Sequence, residues 1–372
     1  MIDWRAGIVV GPGRTWHGAI ELEVLLESDG GSPETDGSRC AALAYPRLVG
    51  RPRPGDRVLL NTNAVRRGLG TGGYALVVAL PGGPPRDLEG PGHLVKARYT
   101  PLQACVLGVE EPDSPHYATL CDADDLEGTP VVVADLHSAL PAIVAGAREG
   151  RDGPWVVYVM LDGGALPVWF SRIVATLRAE GLLAATVTTG QAFGGELEAT
   201  TVHMGLLAAR HVLHADVIVA IQGPGNLGTS TRWGFSGVAA GEVVNAAACL
   251  GGRPVATLRI SSADPRARHQ AVSHHSLTAY GRVALAQADV VVPDLSGTPG
   301  VAAEFARQVR AQAEVLAPRH RLVEVSTSGL DTALASLPVE LSTMGRDLDT
   351  ERAYFLAAAA AGRHAASLVG AS

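Results

Sequence analysis

Residues 216–237 read DVIVAIQGPGNLGTSTRWGFSG. An apolar, β-branched run from Asp216 to Ile221 meets glycines at 223, 225, 228, 234 and 237, with Thr229, Ser230 and Thr231 between them. A buried strand, a glycine- and hydroxyl-rich loop and a following helix form a recipe for holding an anion. Glycine lets the backbone approach closely, and successive N–H groups can point at one oxyanion. Gly223, Gly225 and Gly228 spell G-x-G-x-x-G, but the helix does not begin at the third glycine. The next strand, Pro254 to Ser261, also lacks the acidic terminus of a dinucleotide site. The loop therefore predicts a phosphate, nucleotide or carboxylate site, with a dinucleotide site or an empty connection as the alternatives.

Outward from this stretch, the chain alternates. Apolar runs at Val131–Asp135, Trp155–Leu161, Ala185–Thr189, Val217–Ile221, Pro254–Ile260, Val290–Val292 and Leu322–Val325 predict strands. Helices are predicted between them at Ser138–Glu149, Leu166–Glu180, Glu198–His214, Ser236–Leu250, Ser273–Ala288 and Val301–Leu316. A last helix, Glu351–Leu368, is expected to pack on the outside. Nearly continuous apolar strands alternating with helices predict a doubly wound, mostly parallel α/β sheet of Rossmann-like type. The first 80 residues differ. Short apolar runs separated by turn clusters predict a small β-rich barrel or sandwich. The expected organisation is a β domain over 1–80, linker and bridging strands over 81–129, and an α/β domain over 130–372. The Pro/Gly stretch Leu80–His93 is the linker candidate.

Hydrophobic content of 47% and charged content of 18% describe a folded globular chain. The net charge of −7 gives no electrostatic footprint for nucleic acid. No apolar run reaches the roughly 18 residues of a membrane span. The opening MIDWRAGIVV is too charged for a signal peptide, so a cytoplasmic location is the expectation. A homo-oligomer is expected on base rates. Four scattered cysteines read as buried thiols. Lys96 is the only lysine, so no Walker loop exists, and it reads as a solvated strand residue.

In open α/β sheets, ligands sit beyond the carboxyl ends of the strands. The residues following the predicted strands there include Asp135, His137, Asp162, Gln191, Gly223 and Asp264. The segment Ser261–Ser276 adds Arg266, Arg268, His269, His274 and His275. Arginine matches phosphate or carboxylate bidentately, and histidine moves protons near neutral pH. Gly223, Gly225, Gly228, Thr229, Ser230, Thr231, Gln191, Asp264, Arg266 and Arg268 are the predicted substrate-binding residues. His269, His274 and His275 are predicted to act as acid/base, with Asp162 as orienting carboxylate. A metal on the three histidines and Asp264 is the weaker reading, since the spacing matches no strong ligand motif, and none is assigned. Glu196 is expected either to complement a helix dipole or to act in catalysis.

The motifs LLNTNAVRRGLGTGGY, KARYTPLQ, PVVVADLHSALP, LDGGALP, TGQAFGGELEA, GPGNLGTSTRWGFSG and SADPRARHQAVSHHSLTA occur in order. Together they resemble a bacterial family known as domain of unknown function 3866, over roughly residues 5 to 293. The resemblance implies no substrate, cofactor or catalytic residue. From the residues alone, the expected function is a transferase or hydrolase acting on a small anionic, phosphorylated or nucleotide-like ligand. The alternatives are a non-catalytic metabolite sensor and an NAD(P)-dependent oxidoreductase.

Overall fold

A computed structural model describes residues 2–27, 37–69, 72–82, 91–149, 153–164 and 167–370. The chain divides into two compact units, one of residues 1–90 with 97–104, the other of 91–96 with 105–372. Most of the predicted Leu80–His93 linker lies outside the described residues.

The first unit is a closed five-stranded barrel: β1 (Trp4–Trp16), β2 (Ala19–Leu26), β3 (Arg39–Ala44), β4 (Arg57–Asn61) and β5 (Ala75–Ala79). Their order is β1-β2-β3-β5-β4, with β1 pairing antiparallel to β4 to close the barrel and β3 parallel to β5. This is the five-stranded Greek-key plan of OB-folds. Alternation turns Ile20, Leu22 and Val24 of β2 inward, where they meet Val9, Val58, Leu60 and Val77.

The second unit holds an eight-stranded, all-parallel sheet: β6 (Pro130–Ala134), β7 (Val156–Leu161), β8 (Ala185–Thr189), β9 (Leu197–Ala199), β10 (Val217–Gln222), β11 (Arg253–Thr257), β12 (Asp289–Asp294) and β13 (Arg321–Ser326). The order is β9-β8-β7-β10-β6-β11-β12-β13. Every residue of β6, β7, β8 and β10 is buried, as a sheet covered on both faces requires. The helices include α1 (Leu140–Ala147), α2 (Arg172–Ala179), α3 (Val202–His211), α4 (Ala239–Cys249), α5 (His274–Thr278), α6 (Ala303–Ala313) and α7 (Arg352–Ser367). A π-helical turn, Ala279–Val283, continues α5.

Several expectations need correction. The predicted helix from Glu198 begins as strand β9, because Glu198 turns into the core to reach Lys96 and Thr188. Lys96 is not solvated but 1% exposed. Its Nζ donates to Gly190 O (2.7 Å) and Ala192 O (2.9 Å), clamping the loop after β8. Glu196 caps no helix; it accepts from Thr186 N and Arg178 Nε (both 2.7 Å). Cys105, Cys121 and Cys249 are exposed free thiols, and Cys40 is half-buried. Helix α7 is not an outer layer. Ala357 to Ala361 are at most 1% exposed, and the helix packs on α1 and the sheet. Gly146 of α1 and Gly362 of α7 make this approach: a methyl on Gly146 would stand 1.9 Å from Ala359 O, and one on Gly362 2.0 Å from Ile143 O. No helix among the described residues is long and apolar enough to cross a membrane.

Candidate functional site

Strands β6, β10 and β11 are neighbours at the centre of the sheet, and each carries polar chemistry just past its apolar run. Beyond β6 stands Asp135, 4% exposed; beyond β11 stands Arg259, 5% exposed. Asp135 Oδ2 lies 3.5 Å from both Arg259 Nη1 and His275 Nδ1, an ion-pair distance rather than a hydrogen bond. Burial pushes the Asp135 carboxyl up, but His275 and Arg259 outweigh it and hold the group below its ordinary range. Gln222, the last residue of β10, donates from Nε2 to Asp135 O (2.6 Å) and to Asn226 Oδ1 (3.0 Å).

The segment after β11 folds back to start α5. Ser273 caps this helix, its Oγ accepting from His275 N (3.2 Å) and bonded to His269 Nδ1 (2.8 Å). Ala271 sits between them at φ +54°, a strained position for a side chain with a Cβ. The result gathers His269, His274 and His275, with ring centroids 4.4–5.0 Å apart. Their ligating atoms lie within 4.8 Å of one another, the one such metal-capable group among the described residues. Burial first, then the charges of Arg259 and Arg266, push the His269 imidazole down to about 3. Burial and His275 lower His274 to about 4. Both are neutral at physiological pH and so keep a nitrogen lone pair for a ligand.

Asp264 and Arg266 join this group but are engaged with each other. Arg266 donates to Asp264 Oδ1 (2.8 Å) and Oδ2 (2.7 Å), and this pairing holds the fully buried carboxyl well below its usual range. Arg346 lies 3.4 Å from Asp264 Oδ2 and donates to Glu351 Oε1 (2.5 Å), which also accepts from Ser261 Oγ (2.7 Å). Arg268 is exposed beside this network.

The glycine loop splits in two. Gly223 and Gly225 flank the β10 end. A methyl on Gly164 would meet Gly223 O at 2.2 Å, so only glycine lets the loop after β7 lie against it. Gly228, Thr229, Ser230 and Thr231 stand on an exposed finger that returns through a bridge from Gly228 to Phe235. Its groups bond one another: Thr229 N donates to Gly234 O (2.6 Å), and the Thr229 and Thr231 hydroxyls pair at 2.8 Å. Phe235 anchors the finger by stacking on His275 at 3.8 Å, nearly parallel. Asp162 and Gln191 meet separately, Gln191 N donating to Asp162 Oδ2 (3.2 Å). His137 is buried between Tyr158 OH (3.1 Å) and Ser171 Oγ (2.8 Å), and burial lowers it to about 4.

Sequence reasoning placed Asp135 at this edge without a role and left Arg259, Phe235, Arg346 and Glu351 outside the predicted site. Asp135 and Arg259 had a usable signal, a charge ending an apolar strand. Arg346 and Glu351 had none, since only the fold returns them to this edge.

The fold and these groups define an α/β protein with a barrel unit and a histidine, carboxylate and guanidinium cluster at the carboxyl edge of its parallel sheet. Residues 41–362 match the model of the family described as protein of unknown function (DUF3866), and the chain belongs to that family. The match runs past residue 293 and includes the segment bearing Arg346 and Glu351. No curated protein and no solved structure matches the chain.

Proposed function

We propose that the chain is a hydrolase or transferase acting on a small anionic, phosphorylated or nucleotide-like substrate at this edge of the sheet. One observation carries the reading. Among the described residues, five buried side-chain atoms lack a hydrogen bond, and four belong here: Asp135 Oδ2, Gln222 Oε1, Thr257 Oγ1 and His274 Nε2. Such atoms are costly unless something fills their need in the working state. In this reading, His269, His274 and His275 form the reactive group. Arg268 neutralises the anion, and Arg266, paired with Asp264, borders it. Gly223 and Gly225 let the substrate approach, and Gly228, Thr229, Ser230 and Thr231 cover it. Asp162 and Gln191 orient its far end.

The test is thermal shift of the purified chain against inorganic phosphate, nucleotides, phosphorylated metabolites and NAD(P), then turnover of whatever binds. Ligand at 100 times its Kd stabilises by about 2.7 kcal/mol. A selective shift lost in Arg268→Ala, with consumption of the ligand, is the expected result. Binding with the ligand returned unchanged would favour a sensor, and a shift confined to NAD(P) an oxidoreductase.

A further inference from the structure

We propose that His269, His274 and His275 hold a divalent transition-metal ion of the zinc class. The inference deepens the enzyme reading but stands on ring geometry of its own. Three imidazoles suit zinc, and three protein ligands leave a fourth position open to water or substrate, the pattern of a catalytic rather than a structural site.

The surrounding shell is the one such a site needs. Ligating histidines commonly have their second ring nitrogen fixed by a neighbour, which sets the ring angle. Ser273 Oγ does this at His269 Nδ1, leaving Nε2. For His275, Nδ1 lies 3.2 Å from Arg259 Nη1 and 3.5 Å from Asp135 Oδ2, and turning its N–H to the carboxylate, in place of the contact with Arg259, leaves Nε2 for the ion. His274 Nε2 is already buried and unpartnered. One ion therefore satisfies His274 Nε2 directly. Phe235, stacked on His275, holds the plane of that ring.

Distance and charge also permit the ion. Zinc–nitrogen bonds of about 2.1 Å place tetrahedral ligands about 3.4 Å apart. The 4.8 Å limit here exceeds that, so small ring rotations accompany binding. Asp135, Asp264 and Glu351 balance Arg259, Arg266 and Arg346 in this network, which leaves the charge of the exposed Arg268 for solvent to screen. The added ion gives the edge a net positive charge, which suits an anionic substrate.

The full chain should be purified, stripped with a chelator and titrated with Zn²⁺ alone, with stoichiometry read by elemental analysis and affinity by competition with a chromophoric chelator. One zinc per chain is expected. His274→Gln should abolish stoichiometric binding while leaving the fold intact by circular dichroism, because His274 Nε2 bonds to nothing. Asp135→Asn should weaken binding about 10–100-fold, the usual effect of removing a ligand's supporting group. His211→Gln, far along the chain on α3, should change nothing. Absence of stoichiometric zinc in the folded parent, or His274→Gln binding as tightly as the parent, would overturn the site. Zinc bound without turnover of any anion supports the site and counts against the enzyme reading. Turnover by a chain that binds no zinc does the reverse.

Discussion

Asp289 shows how one carboxylate can tie three elements together. It opens β12 opposite Arg321 of β13, accepts from Arg321 Nε at 2.6 Å, and lies 2.8 Å from His364 Nε2 of α7. Burial pushes its carboxyl up, but the bonds and charges of His364 and Arg321 prevail and hold it at about 2, against an ordinary 3.8. A folded-state value below the unfolded one stabilises the fold fully above about pH 3.8, and that contribution drains as pH falls through 2. The shift corresponds to about 2 kcal/mol. Asp289→Asn should therefore lose roughly this amount in urea denaturation at pH 7. The gap between variant and parent should narrow from pH 4 to pH 2. A gap that stays constant across that window would show that ionisation of Asp289 contributes nothing. At this scale the sequence was legible only in part. Asp264, Arg266 and the three histidines were visible as a dense polar segment, but nothing in the chain showed that Asp264 and Arg266 spend their charges on each other.

At the scale of elements, the contact between α1 and α7 is the most demanding. Gly146 and Gly362 each face a backbone oxygen of the other helix. Glycine inside a helix costs about 1 kcal/mol relative to alanine, so it persists here for a steric reason. Gly146→Ala or Gly362→Ala regains that propensity but drives a methyl into a carbonyl, and overpacking of this kind costs about 1–3 kcal/mol. Because the obstacle is backbone and cannot rotate away, each variant should be less stable than the parent in chemical denaturation; equal or greater stability would mean the helices separate easily. The alanine run of α7 predicted a helix correctly but was placed on the outside. Small residues give a weak hydrophobic pattern, and their value lies in the closeness they allow to a partner remote in sequence. The strands were far more legible, since continuous β-branched runs have no good place except a sheet covered on both faces.

At the scale of the molecule, the barrel followed by a parallel sheet was readable from the change in pattern near residue 130. The convergence of polar residues on one sheet edge was readable from where each strand stopped. The contribution of the C-terminal segment was not. Arg346 and Glu351 reach the cluster, and α7 buries twelve residues, only because the chain returns after β13. Removing residues 342–372 should therefore cost the chain the helical component of its cooperative thermal transition by circular dichroism, whereas removal of an accessory tail would leave the melting curve unchanged.

The strand order has a further consequence, one of timing. Strand β6 is the first of the sheet to be synthesised, yet its two partners are β10 and β11, which begin only at Val217 and Arg253. Until these leave the ribosome, the wholly apolar run Val131–Ala134 has both of its hydrogen-bonding edges open. Non-local parallel pairing of this kind is slow and leaves the nascent chain prone to association. The strand on which the candidate site is built is thus the first of the sheet to be made, and it waits for the fifth and sixth before both its edges are covered.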